Sequence, residues 1–289
     1  MEKQQISELD YKKTIEQSAN FDGNWSLVLF DRMHDPIIRQ QLINFFYTEQ
    51  LARQKYFQTG PFEFVLTMDD GNKVYKDGNG RQVLEGEIKS FVPKTKEEIE
   101  KELDERLAKV MSYTDIEFSN EQPTEESIGL FWVYPYTGKQ LTMRQKSIAE
   151  AHEKGHILRP LPHLFSEKYF APAFDMSKVV FTEDDLKAMI LERQSQERNS
   201  ENVMPDPTRE REIYLEYLFS GKEIVERMSQ LKNYFGMRGA EHFTREHLEY
   251  ARQHYLNDIG IDNGMAHFFQ AITSKTENNF LELINSSGI

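Results

Sequence analysis

His152-Glu153-Lys154-Gly155-His156 lies near the end of a stretch that reads as one helix, from about Thr142 to Leu158. Thr142 suits an N-cap, because its hydroxyl can accept from the free amides of a first helical turn. At about 100° per residue, His152 and His156 share a side with Leu141, Ile148, Ala149 and Gly155. Lys146, Glu150 and Lys154 fall opposite, so the histidines are expected to point inward and the charges to face water. Two imidazoles at i and i+4 are close enough to grip one metal ion. A carboxylate between them can polarise a water held there.

Outward from this segment the chain divides unevenly. The polar run Asn120-Glu121-Gln122-Pro123-Thr124 is the best boundary, giving an N-terminal region over 1–120 and a helical region over 121–289. In the first, residues 2–20 are expected to be helical and Trp25 to Phe30 a short strand. Asp35-Pro36 signals a helix start, with apolar residues at helical spacing to about Phe57 before Gly60-Pro61 ends it. Phe62 to Met68, Lys73 to Lys76 and Gln82 to Val92 read as strands joined at the turn signals Asp70-Gly71 and Asn79-Gly80. They form a small antiparallel β-meander over about 62–92. A charged amphipathic helix follows over 94–111, then a short strand from Asp115 to Phe118. In the second region, the tract from Arg193 to Arg211 reads as a helix end followed by a surface loop. The expected class is α+β, predominantly helical, with the meander in the N-terminal half.

Composition narrows the chemistry. The 289 residues include 20 Phe and 13 Tyr, enough for a substantial core. A net charge of −13, with no basic patch interleaved with aromatics, argues against general nucleic-acid binding. The chain contains no cysteine, which excludes disulfides, cysteine-ligated zinc or iron–sulfur centres and thiol catalysis. Any transition metal must be held by histidine and carboxylate. The start lacks a signal-peptide core, and the longest apolar run, about Ile128 to Tyr134, is far short of the roughly 20 residues that span a bilayer. The expectation is an intracellular, cytoplasmic protein with no membrane partner.

The five-residue motif resembles the active-site signature of the zincin metallopeptidases. That resemblance implies zinc as cofactor, His152 and His156 as ligands, and Glu153 as the general base of a hydrolase acting on protein or peptide. It also implies a helical zincin-like domain over 121–289. A third ligand separates the subfamilies. The metzincin extension asks for Gly and His where Arg159 and Pro162 stand, and His163 is one step late. The gluzincin arrangement takes a Glu from a later helix, and the segment from Gly221 to Leu231 suits that role. It resembles the E-x-x-A-R helix of many phage and bacterial zincins, although Glu226 stands where the small residue is usual.

Two carboxylates compete there. Ile224, Met228, Leu231 and Phe235 form an apolar stripe. Glu226 lies about 170° from its centre and Glu223 about 110° away. Glu223 is therefore chosen as the third ligand, with an i,i+4 ion pair to Arg227 as its plain structural alternative. Arg227 and Tyr234 are candidates to stabilise an oxyanion, although such residues more often pack or pair.

Other signals carry less. Asp69-Asp70-Gly71-Asn72 and Asp77-Gly78-Asn79-Gly80 lack the alternating ligands of a calcium loop and read as hairpin turns. His247 and His254 suit a solvated helix face, and the run from Phe131 to Tyr136 suits core. The rival to a hydrolase is a non-catalytic interaction or structural protein, virus-associated in character, carrying a degenerate motif.

Overall fold

The first helix, α1 (Glu8–Ala19), leads to a second whose start is set by a side chain. Asn24 accepts from the amide of Ser26 at 2.9 Å and so opens α2 (Trp25–His34). The expected strand from Trp25 to Phe30 is therefore helix. A short continuous apolar run has no period that separates the two, and the cap decides. Asp35 caps α3 (Pro36–Thr59) in the same way, accepting from Ile37 and Ile38. We describe residues 8–21, 23–78, 82–112, 141–159, 170–187, 206–260 and 262–289 from a computed structural model.

The meander forms where expected. Strands β1 (Glu63–Thr67), β2 (Lys73–Lys76) and β3 (Gln82–Leu84) pair antiparallel in that order, with Glu63 opposite Lys76 and Val74 opposite Leu84. Gly71 turns the first hairpin at φ 85°, a region that glycine enters freely. The third strand is shorter than the expected Gln82–Val92, because the chain turns into α4 (Glu85–Ser90). There the Glu87 carboxylate accepts from the Leu84 amide at 3.3 Å, which favours a helix start. Helix α5 (Lys96–Ser112) buries Ile99, Leu103, Leu107 and Val110 at intervals of a helical turn, and packs on α3 and on the motif helix.

The second half is helical among the described residues. It comprises α6 (Met143–Leu158), 3-10 turns at Ala171–Ala173 and Met176–Lys178, a helical stretch at 183–187, α7 (Pro207–Leu218), α8 (Gly221–Tyr234), α9 (Arg245–Asp258), α10 (Asn263–Ala271) and α11 (Glu277–Ser286). The Arg193–Arg211 tract thus ends in a helix start, which Asp206 caps by accepting from Thr208. The expected strand from Asp115 to Phe118, the boundary at 120–124 and the aromatic run at 131–136 lie outside the described residues.

Helix α8 sits at the centre, with α6, α2 and α7 packed around it. Every residue of α8 except Lys222 is buried. Its polar groups are met by partners from other elements. Arg32 of α2 donates to Ser229 Oγ, Asn233 Oδ1 and the Met237 carbonyl, and Lys232 donates to the Ile289 carbonyl. Such pairing is what makes burial of these groups tolerable. One apolar cluster runs through helices from both ends of the chain, from Ile15 to Ile289. The protein is thus α+β, predominantly helical, with its small antiparallel sheet in the N-terminal half. No helix among the described residues is long and apolar enough to cross a membrane.

Candidate metal centre

Helix α6 starts as its sequence dictates, with the Thr142 hydroxyl accepting from the Gln145 amide and Gln145 returning a bond to the Thr142 amide. Its last two turns carry His152, Glu153 and His156 against the first turn of α8, which carries Glu223. The Nε2 atoms of His152 and His156 face each other at 3.2 Å. Glu223 closes the third side, with Oε1 at 3.2 Å from His156 Nε2 and Oε2 at 3.5 Å from His152 Nε2. Ligands around a tetrahedral zinc at about 2.0–2.1 Å stand about 3.3–3.4 Å apart, so these spacings fit one such ion. The buried Glu223 Oε2 makes only longer polar contacts, with His152 Nε2 and an Arg227 guanidinium nitrogen each at 3.5 Å. A Glu153 carboxylate oxygen lies within 4.8 Å of both histidine ligand atoms.

Charge is arranged to suit a cation. Burial would raise the pKa of Glu223, but its contacts with His152 and His156 and the charge of Arg227 outweigh burial and hold it well below the usual carboxylate range. Its place in the first turn of α8 adds the favourable end of a helix dipole. Burial opposes protonation of His156, yet Glu223, Glu226 and Glu153 together raise its pKa.

Behind the histidines lies a polar layer. His152 Nδ1 donates to Gln230 Oε1 at 3.1 Å, which leaves the Nε2 lone pair for the cluster. Gln230 Nε2 in turn donates to the Tyr255 hydroxyl and, at 3.0 Å, to Asp262 Oδ2. Arg227 reaches Glu223 at 3.5 Å and Asp262 at 3.7 Å. Tyr217, with an exposed ring, brings its hydroxyl beside Glu223; burial of that hydroxyl and then the Glu223 charge raise its pKa.

The structure brings His152, Glu153, His156 and Glu223 together, and it pairs Glu226 with Arg159 instead. Glu226 is 1% exposed and takes a two-pronged contact from Arg159 at 2.6 and 3.0 Å. Its burial at the far side of the α8 stripe reflects a helix enclosed on all sides. Tyr234 is buried and donates its hydroxyl to Asp258, and Arg227 is held by two carboxylates. Lys154 departs from expectation. It does not face water: it is buried over the Phe30 ring, with Nζ 2.5 Å from Glu150 Oε1 and 3.4 Å from Ser26 Oγ. The cause is α2, which covers the side of α6 that would be wet if residues 25–30 were a strand elsewhere. His247 likewise packs on Phe235 and Phe243 and joins the Thr244 cap. The turn at Asp70 is an ordinary one, with Asn72 N donating to Asp70 Oδ1.

Gln230, Asp262 and Tyr217 escaped the sequence reading. Gln230 stands seven residues after Glu223, two turns along the same side of α8, and that spacing is the one available signal for it. Set against family models, curated proteins and solved structures, the chain matches none of them.

Proposed function

We propose that this chain is a zinc-dependent hydrolase that cleaves peptide bonds, with His152, His156 and Glu223 as ligands and Glu153 as general base. The observation that carries this reading is the three-sided cluster of two imidazole nitrogens and one carboxylate at 3.2–3.5 Å. A zinc ion held there would act as a Lewis acid toward a water and a scissile carbonyl. The protein supplies the rest. Glu223 is ionised and offers its charge to the cation. Glu153 takes a proton from the attacking water and passes it to the departing amine nitrogen. Gln230 keeps the His152 lone pair turned to the site. The donor set supports metal-assisted hydrolysis; the peptide substrate rests on the resemblance of the H-E-x-x-H string and the later Glu helix to gluzincins.

The test is cleavage of a panel of unstructured peptides by zinc-loaded protein, read by mass spectrometry. Cleavage that chelator removes and zinc restores is expected, and Glu153→Gln should lower it by about 10²-fold or more while retaining zinc. Undiminished zinc-dependent cleavage in Glu153→Gln would remove the assigned base. Failure of the wild-type protein to take up zinc would leave the non-catalytic reading.

A further inference from the structure

Asp262 touches neither histidine, yet both arms of the site end on it. Its Oδ2 accepts from Gln230 Nε2 at 3.0 Å, and Gln230 Oε1 accepts from His152 Nδ1. Its Oδ1 accepts from the Met265 amide at 2.8 Å, capping α10, and lies 3.7 Å from Arg227, which reaches Glu223. Gly264, in the first turn of the same helix, lets that end close on Arg227: a Cβ there would stand 2.5 Å from an Arg227 guanidinium nitrogen. The α10 start thus holds the guanidinium on one side and the Gln230 amide on the other.

The amide orientation decides the chemistry. Tyr255, the other neighbour of the Gln230 NH2, can either donate or accept, so it selects no orientation. A carboxylate only accepts, so Asp262 forces the Gln230 NH2 toward itself and the Gln230 carbonyl toward His152. That carbonyl demands a proton on His152 Nδ1 and leaves Nε2 bare. We propose that Asp262 is a positioning residue that sets the His152 tautomer through Gln230 and the placement of Glu223 through Arg227. This inference rests on the metal-centre reading for its purpose, but not for its geometry.

Asp262→Asn is the informative variant. Asn is also a good N-cap, so the fold is retained, with the side-chain oxygen kept on Met265. The new amide nitrogen then faces the Gln230 NH2, and two donors cannot pair. Gln230 should turn over and present its NH2 to His152 Nδ1, moving the ring proton to Nε2. Ring 15N shifts of His152 in metal-free protein at pH 8 read this directly. The expected result is an Nδ1–H ring in wild type and an Nε2–H ring in Asp262→Asn, with zinc affinity lowered about 10–100-fold. Gly264→Ala, whose added Cβ meets the Arg227 guanidinium and not Gln230, should weaken zinc binding and leave the tautomer unchanged. An Nδ1–H ring in both wild type and Asp262→Asn overturns the proposal. If wild type binds no zinc, the metal reading fails and the tautomer comparison still decides the role of Asp262.

Discussion

The Glu226 carboxylate fills the space that a side chain at Gly155 would need: a Cβ built on Gly155 would stand 1.7 Å from Glu226 Oε2. The missing side chain at Gly155 leaves room for that carboxylate where α6 packs on α8. Arg159, 1% exposed, then neutralises the buried carboxylate.

Gly155→Ala should therefore be costly although alanine is the better helix former. The methyl group must displace a buried, two-pronged ion pair, and breaking such a pair costs about 3–5 kcal/mol. Urea unfolding of the metal-free protein measures this. A loss below about 1 kcal/mol would show that Glu226 relocates freely.

The two glutamates of α8 should separate by what they damage. Glu226→Gln leaves Arg159 with a buried, uncompensated charge, so it should lower the unfolding midpoint sharply. Glu223→Gln removes an anionic ligand and should weaken zinc binding by 10-fold or more. Paired thermal melts and zinc titrations distinguish them, and a reversal of the two outcomes would make Glu226 the ligand.

Glu49 should make stability depend on pH. It is 1% exposed on α3, neither carboxylate oxygen has a hydrogen-bond partner among the described residues, and burial raises its pKa to about 7. The folded state thus keeps a proton that the unfolded chain releases near pH 4.5. Its contribution is full below that pH and is lost as pH rises through about 7. Glu49→Gln should flatten this slope, stabilising the protein at pH 8 by about 1–2 kcal/mol after solvent screening, with little change at pH 4.5. Parallel urea titrations at the two pH values check it, and equal effects at both would contradict it.

Much of this molecule was legible where a local signal acts alone. Thr142 opens α6, Asp35-Pro36 opens α3, and Gly71 turns the first hairpin. The placement of Glu223 beside His152 and His156 was also legible in its spacing along α8. What escaped depends on how elements pack. A helical wheel presumes one wet side, and α8 has none, so Glu226 could not be placed. Lys154 is buried, not wet, because its cover, α2, is a helix where the apolar run from Trp25 to Phe30 alone suggests a strand. Gln230 and Asp262 are 32 residues apart and meet only when α10 returns to α8.

The most direct test of the central claim is a zinc titration of metal-free protein, followed by calorimetry, for wild type, His152→Ala, His156→Ala and Glu223→Gln. The account predicts one high-affinity site in wild type, abolished by either histidine substitution and weakened by Glu223→Gln. Absence of a site in wild type, or a site that survives both histidine substitutions, would contradict it.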